Sequence, residues 1–141
     1  MANLIYIATS LDGFIARQNG DISWLENVPN VHNSDFGYGD FINRIDGVIL
    51  GRNTYEAVLG FESWPYNQPV FVLSNSLNKI PQELEGKVEI VNGELKSILD
   101  TLKARKIHNL YIDGGKTIQS FLKEDLIDEM IITTVPILLG D

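Results

Sequence analysis

The chain has 141 residues, 44% of them hydrophobic and 21% charged, which is enough for one domain with a real core and too little for two full ones. Its 19 acidic residues against 11 basic ones give a net charge of −8, which repels nucleic acid and anionic membranes, so a phosphate-bearing ligand must be held locally. No cysteine, no apolar run long enough to span a bilayer and no signal-peptide pattern behind Met1 together predict a soluble, cytoplasmic protein that engages neither nucleic acid nor membrane.

Leu4 to Ala8 is a nearly continuous apolar run, the pattern of a strand inside a sheet covered on both faces. Asp12-Gly13 then reads as a turn, with a ligand contact as the other use open to Asp12. Asn19-Gly20 is a second turn and leads to Trp24, whose indole is expected in the core. Residues 26 to 33 have no period and read as a loop carrying an exposed His32. Ser34 is placed to cap a short helix through Phe41, Ile42 and Ile45, weakened near its start by Gly37 and Gly39.

Val48 to Leu50 is a buried strand that passes through Gly51 into a helix start at Arg52-Asn53-Thr54. A glycine at such a corner lets a ligand approach the backbone, the first N–H groups of the helix point outward, and Arg52 adds a positive fork, so a phosphate would be well received. A surface arginine beside a capped helix is the other reading of this stretch taken alone. Val70 to Leu73 is a further strand, ending in Ser74-Asn75-Ser76, and Lys87 to Val91 alternates as another. Leu95, Ile98, Leu99 and Leu102 recur at i, i+3, i+4 and i+7 behind an Asn92 cap, the clearest amphipathic helix of the chain. Leu110 to Asp113 is a strand ending in Gly114-Gly115-Lys116-Thr117, a second corner of the same kind, and Ile118, Phe121 and Leu122 mark the helix behind it. Met130 to Val135 is the final strand.

Strands and helices thus alternate, which predicts an α/β domain with a largely parallel sheet whose ligands bind beyond the carboxyl ends of the strands. Three strand ends carry small, polar or basic residues suited to phosphate, and three in one sheet make a dinucleotide the economical ligand. No G-x-G-x-x-G follows the first strand, so the fold is not the Rossmann type.

The motifs Ser10-Leu11-Asp12-Gly13-Phe14-Ile15-Ala16, Asn19-Gly20-Asp21-Ile22-Ser23-Trp24, Gly51-Arg52-Asn53-Thr54-Tyr55-Glu56, Val72-Leu73-Ser74 and Asp113-Gly114-Gly115-Lys116-Thr117-Ile118, with the closing Gly140-Asp141, stand in an order that resembles the dihydrofolate reductase-like proteins. The branch they resemble more closely includes the C-terminal reductase domain of riboflavin biosynthesis enzymes. The resemblance runs from Leu4 to Asp141 and implies a three-layer α/β fold, with a mixed, mostly parallel central sheet flanked by helices, and an NADPH-dependent reductase. It assigns Arg52 and Thr54 at the Gly51 corner to the 2′-phosphate and pyrophosphate, Leu73, Ser74 and Asn75 to the adenosine end, Gly114, Gly115, Lys116 and Thr117 to the pyrophosphate, and Ala8 to the nicotinamide. Trp24 and Thr133 fall on its substrate side. It also implies a cis bond at Gly114-Gly115, a homodimer, and a β-hairpin beyond Gly140-Asp141 that would cover a sheet edge.

The departures from the pattern bear on the substrate. Dihydrofolate reductases carry an acidic residue five or six positions after the tryptophan, where this chain has Pro29 and Asn30; Glu26 and Asp35 are acidic but at other offsets. Thr133 matches the threonine that supports that carboxylate, whereas Gln119 stands where many such enzymes place a tyrosine. The expected activity is hydride transfer from NADPH to a small heterocyclic acceptor, pterin- or pyrimidinone-like, with dihydrofolate a poor one. The proton would come from solvent or from a polar group such as Asp12. The alternatives are a non-catalytic NADP(H)-binding module and a scaffold whose glycine corners only shape turns; no metal is expected.

Overall fold

In the computed structural model, which describes residues 2–19, 22, 24–25 and 36–140, the order is β1 (Ala2–Ser10), α1 (Tyr38–Asn43), β2 (Gly47–Gly51), α2 (Arg52–Leu59), β3 (Val70–Leu73), β4 (Val88–Val91), α3 (Leu95–Ala104), β5 (Asn109–Asp113), α4 (Gly115–Lys123) and β6 (Glu129–Val135). The strands form one six-stranded sheet in the order β4-β3-β2-β5-β1-β6. Every pairing among them is parallel, so the described part of the sheet is wholly parallel.

Side-chain alternation along the strands builds the three layers. Val48, Leu50, Val70, Val72 and Tyr111 face α1 and α2, burying Phe41, Tyr55 and Val58. Ile49, Phe71, Leu110 and Ile112 face the other way and bury Ile98, Leu102, Ile118 and Phe121 of α3 and α4. All four residues of the predicted α3 stripe are buried. The helix starts differ from expectation in two places. Gly37, in the left-handed region at φ 85°, begins α1, a conformation glycine adopts without cost, and α3 begins after Glu94, beyond Gly93 at φ 106°, rather than at an Asn92 cap. Ser34, His32, Glu26, Asp35, Pro29, Asn30 and Gly20 lie outside the described residues. No helix among the described residues is long and apolar enough to cross a membrane.

Register then aligns the functional ends. Leu50 lies opposite Asp113 and Gly51 opposite Leu73, so β3, β2 and β5 finish level with one another. The small and polar residues that follow these strands are thereby gathered along one rim of the sheet.

Candidate cofactor and active site

The two glycine corners interlock. A Cβ on Gly114 would lie 2.5 Å from Thr54 Oγ1, and a Cβ on Gly51 would lie 2.5 Å from Thr117 Oγ1, so each glycine leaves room for the hydroxyl of the other corner's helix. A Cβ on Gly115 would meet Ile15 Cδ1 at 2.9 Å. Among the described residues neither α2 nor α4 has a side-chain hydrogen bond at its N-cap, a helix start suited to receiving an anion. The Gly114-Gly115 bond is trans, contrary to the expectation of a cis bond there, and Gly114 makes the turn through φ 99° and ψ 128° instead.

Three cavities run along this rim. The central one, of about 600 Å³, is lined by Gly51, Thr54, Gly115 and Thr117, with Arg17 and Lys116 supplying positive charge. Through Arg52, Leu73 and Ser120 it adjoins a second, of about 590 Å³, that Ser74, Asn75 and Ser76 line. Through Ile15, Gly114 and Gly115 it adjoins a third, of about 220 Å³, lined by Tyr6, Ala8 and Asp113. One trough therefore passes from the end of β3 over β2 and β5 to β1. A separate cavity of about 390 Å³ between β4 and α3 holds none of the predicted site residues.

Asp113 is the unusual group at the inner end. Its Oδ1 accepts the Gly114 N–H at 2.9 Å and its Oδ2 accepts the Tyr66 hydroxyl at 3.3 Å. Burial pushes its carboxyl above the ordinary carboxylate range, and the hydrogen bonds from Gly114, Tyr66 and Tyr111 pull the other way without cancelling that effect. Burial together with the adjacent carboxylate drives the Tyr66 and Tyr111 phenols far upward, so both stay protonated and able to donate. A carboxyl group whose pKa burial raises, facing a cavity, is suited to exchanging a proton there.

Asp12 has a different environment from the one a proton donor needs. Its Oδ1 accepts from Ser10 Oγ at 2.5 Å and from the Leu139 N–H at 3.2 Å, while its Oδ2 accepts from the Gly140 N–H at 2.9 Å. These bonds, that from Ser10 foremost, lower its pKa from 3.8 to about 2, so it is ionised at neutral pH and ties the β1 turn to the segment after β6. Because the folded-state value lies below the ordinary one, its stabilisation is present above pH 4 and lost as the pH falls through about 2. Asp12→Asn is accordingly expected to lower the melting temperature at pH 7 and to converge with the parent protein near pH 2, as read by thermal denaturation.

The remaining predicted residues divide into two groups. Ala8 lines the inner cavity, Leu73, Ser74 and Asn75 the outer one, and Lys116 and Thr117 the central one. Trp24 is 3% exposed and packs with Val135, Leu139 and Ala8, while Thr133 lies beside Ala8 in the β1–β6 register; neither lines a cavity of the trough. Sequence reading singled out as site residues neither Asp113 and Arg17, which line the trough, nor Tyr66, which donates to Asp113. For Asp113 a signal existed, since an acidic residue closing an otherwise apolar parallel strand has to be explained.

The model of the RibD C-terminal domain family matches residues 4–141. The uncharacterised protein YwjB of Bacillus subtilis (strain 168) is 39% identical over 140 residues, spanning 97% of this chain and 78% of its own length. Among solved structures, a Shewanella sp. PV-4 protein provisionally named for riboflavin biosynthesis superposes with a TM-score of 0.93 at 55% identity, over 99% of this chain and 80% of that one. The diaminohydroxyphosphoribosylaminopyrimidine deaminase/5-amino-6-(5-phosphoribosylamino)uracil reductase of Thermotoga maritima shares the fold, at a TM-score of 0.70 and 18% identity over 99% of this chain and 46% of that one.

Proposed function

Since this chain belongs to the RibD C-terminal domain family, we propose that it is an NADPH-dependent reductase acting on a small pyrimidinone- or pterin-like heterocycle, with dihydrofolate a poor substrate. The observation that supports this reading is the trough of three adjoining cavities across the ends of β3, β2, β5 and β1, lined at its middle by two helix starts without side-chain caps. The residues fit the cofactor. Gly51, Gly114 and Gly115 leave a cradle that Cβ atoms would disturb, Thr54 and Thr117 bring hydroxyls to it, and Lys116 and Arg17 balance pyrophosphate charge. Arg52, Ser74 and Asn75 would hold the 2′-phosphate and adenosine end, and Ala8 would back the nicotinamide.

When bound, NADPH supplies the hydride. The protein's own contribution is to orient the two partners over the inner cavity and to hold a proton there. Asp113, whose carboxyl burial raises above the ordinary range, is the group that would pass that proton, and Tyr66 donates to its Oδ2. This assignment replaces Asp12, whose oxygens are already committed to Ser10, Leu139 and Gly140.

Following NADPH absorbance against a panel of pyrimidinones, pterins and quinones tests the reading. Turnover with one ring class supports it. Saturable binding without oxidation of NADPH by any acceptor would leave a binding module, and absence of binding would leave a scaffold. Cofactor choice gives a second check. Charge-assisted bonds from Arg52 contribute roughly 1.5 to 3 kcal/mol, so Arg52→Ala is expected to weaken NADPH about 10- to 100-fold and leave NADH nearly unchanged. Isothermal titration with both cofactors measures this, and equal losses would refute the assignment.

A further inference from the structure

Arg52 is held in a defined orientation. Its Nε donates to Glu56 Oε1 at 2.8 Å, and its Nη1 donates to Ser76 Oγ at 2.5 Å. Ser76 belongs to a tight turn in which Ser74 Oγ accepts the N–H groups of Ser76 and Leu77 at 3.2 and 3.0 Å. Glu56 stands one helical turn after Arg52, on the same face of α2.

A guanidinium offers an oxyanion two paired edges, Nε with Nη2 or Nη1 with Nη2. Glu56 takes the Nε donor and closes the first edge. Ser76 draws the second toward the turn that lines the outer cavity. Aim matters at this place, because Arg52 is the sole cation among the described residues that line that cavity, which also include Glu94 and Glu124. A guanidinium turned aside would leave a phosphate facing carboxylates.

We propose that Glu56 is a positioning residue for cofactor choice, holding Arg52 so that Nη1 and Nη2 present end-on to the 2′-phosphate of NADPH beside Ser76. The inference rests on the reading of the trough as an NADPH site. It predicts an effect opposite in sign to simple electrostatics. Removing a carboxylate near a dianionic phosphate tightens binding by Coulomb attraction alone, whereas removing a positioning group frees a long side chain that must then be ordered on binding.

The test is titration of NADPH and NADH against the parent protein, Glu56→Ala, Glu56→Gln and Arg52→Ala. Glu56→Ala is expected to weaken NADPH about 3- to 10-fold, with NADH unchanged, the range expected for losing the order of one long side chain. Glu56→Gln keeps an amide oxygen to accept Nε–H and is expected to bind NADPH at least as tightly as the parent protein. Unchanged or tighter NADPH binding by Glu56→Ala would overturn the inference, as would equal weakening of both cofactors. An Arg52→Ala protein with undiminished NADPH affinity would instead overturn the placement of the 2′-phosphate on which it rests.

Discussion

Asp113→Asn is expected to reduce NADPH oxidation by about 10²- to 10⁴-fold, the usual contribution of a positioned general acid, with NADPH affinity retained. The asparagine is close in shape and its oxygen can still accept the Gly114 N–H or the Tyr66 hydroxyl, so the walls of the inner cavity remain. It cannot release a proton. On the proposed reading, NADPH oxidation by the parent protein should fall as rising pH ionises Asp113, and the residual rate of the variant should lack that limb. Stability should move the other way. Burial raises this carboxyl in the folded state, so folding is penalised as the pH rises above the unfolded-state value, and the neutral amide removes the penalty. A variant that melts higher at pH 7 while turning over far more slowly would identify a group retained for chemistry at a cost in stability. Undiminished turnover would exclude Asp113 as the acid.

Gly114→Ala is expected to cost about 2 to 5 kcal/mol of folding stability, a large share of a domain's usual margin. Two penalties combine. The backbone sits at φ 99°, where an L side chain is strained, and the new Cβ would lie 2.5 Å from Thr54 Oγ1 and 3.3 Å from Thr54 Cβ. Thr54 is β-branched and in the first turn of α2, so it has few rotamers with which to yield. Thr54→Ala in the same protein removes the closer contact and leaves the backbone strain, so the double variant should recover part of the loss. Denaturant titration of the three proteins measures it, and a Gly114→Ala protein as stable as the parent would show that neither penalty operates.

What could be read from the sequence was local. The two corners were legible because glycine, a hydroxyl and a helix start stand within four residues at Gly51–Thr54 and Gly114–Thr117, and α3 was legible because its stripe repeats within eight residues. Register then brought the corners together, as parallel pairing of level strands requires. The chemistry of single residues was less accessible, because their partners are remote. Asp113 is oriented by Tyr66, 47 residues earlier, and Asp12 is held by backbone groups 127 and 128 residues later. Spacing of residue types carries no information about such partners, so it does not separate an exposed turn aspartate from a half-buried strand-end aspartate. The start of α3 was misplaced for a related reason, since Gly93 in the left-handed region turns the chain between Asn92 and the helix, which begins after Glu94.

The placement of β1 between β5 and β6 has a consequence for how the chain folds during synthesis. Asn3 pairs with Leu110 and Leu4 with Glu129, so β1 finds its partners only once β5 and β6 have been made. Strands β2, β3 and β4 pair in sequence order and can assemble early around α2. Until β5 docks on β2, the apolar run Leu4–Ala8 remains an unsatisfied segment open to aggregation, and closing so long a loop makes the step slow. The same docking brings Gly114 against Thr54 and Gly51 against Thr117. Nascent chains therefore acquire their cradle late, after α4 has been made, and nucleotide capture during synthesis would report completion of the sheet rather than its beginning.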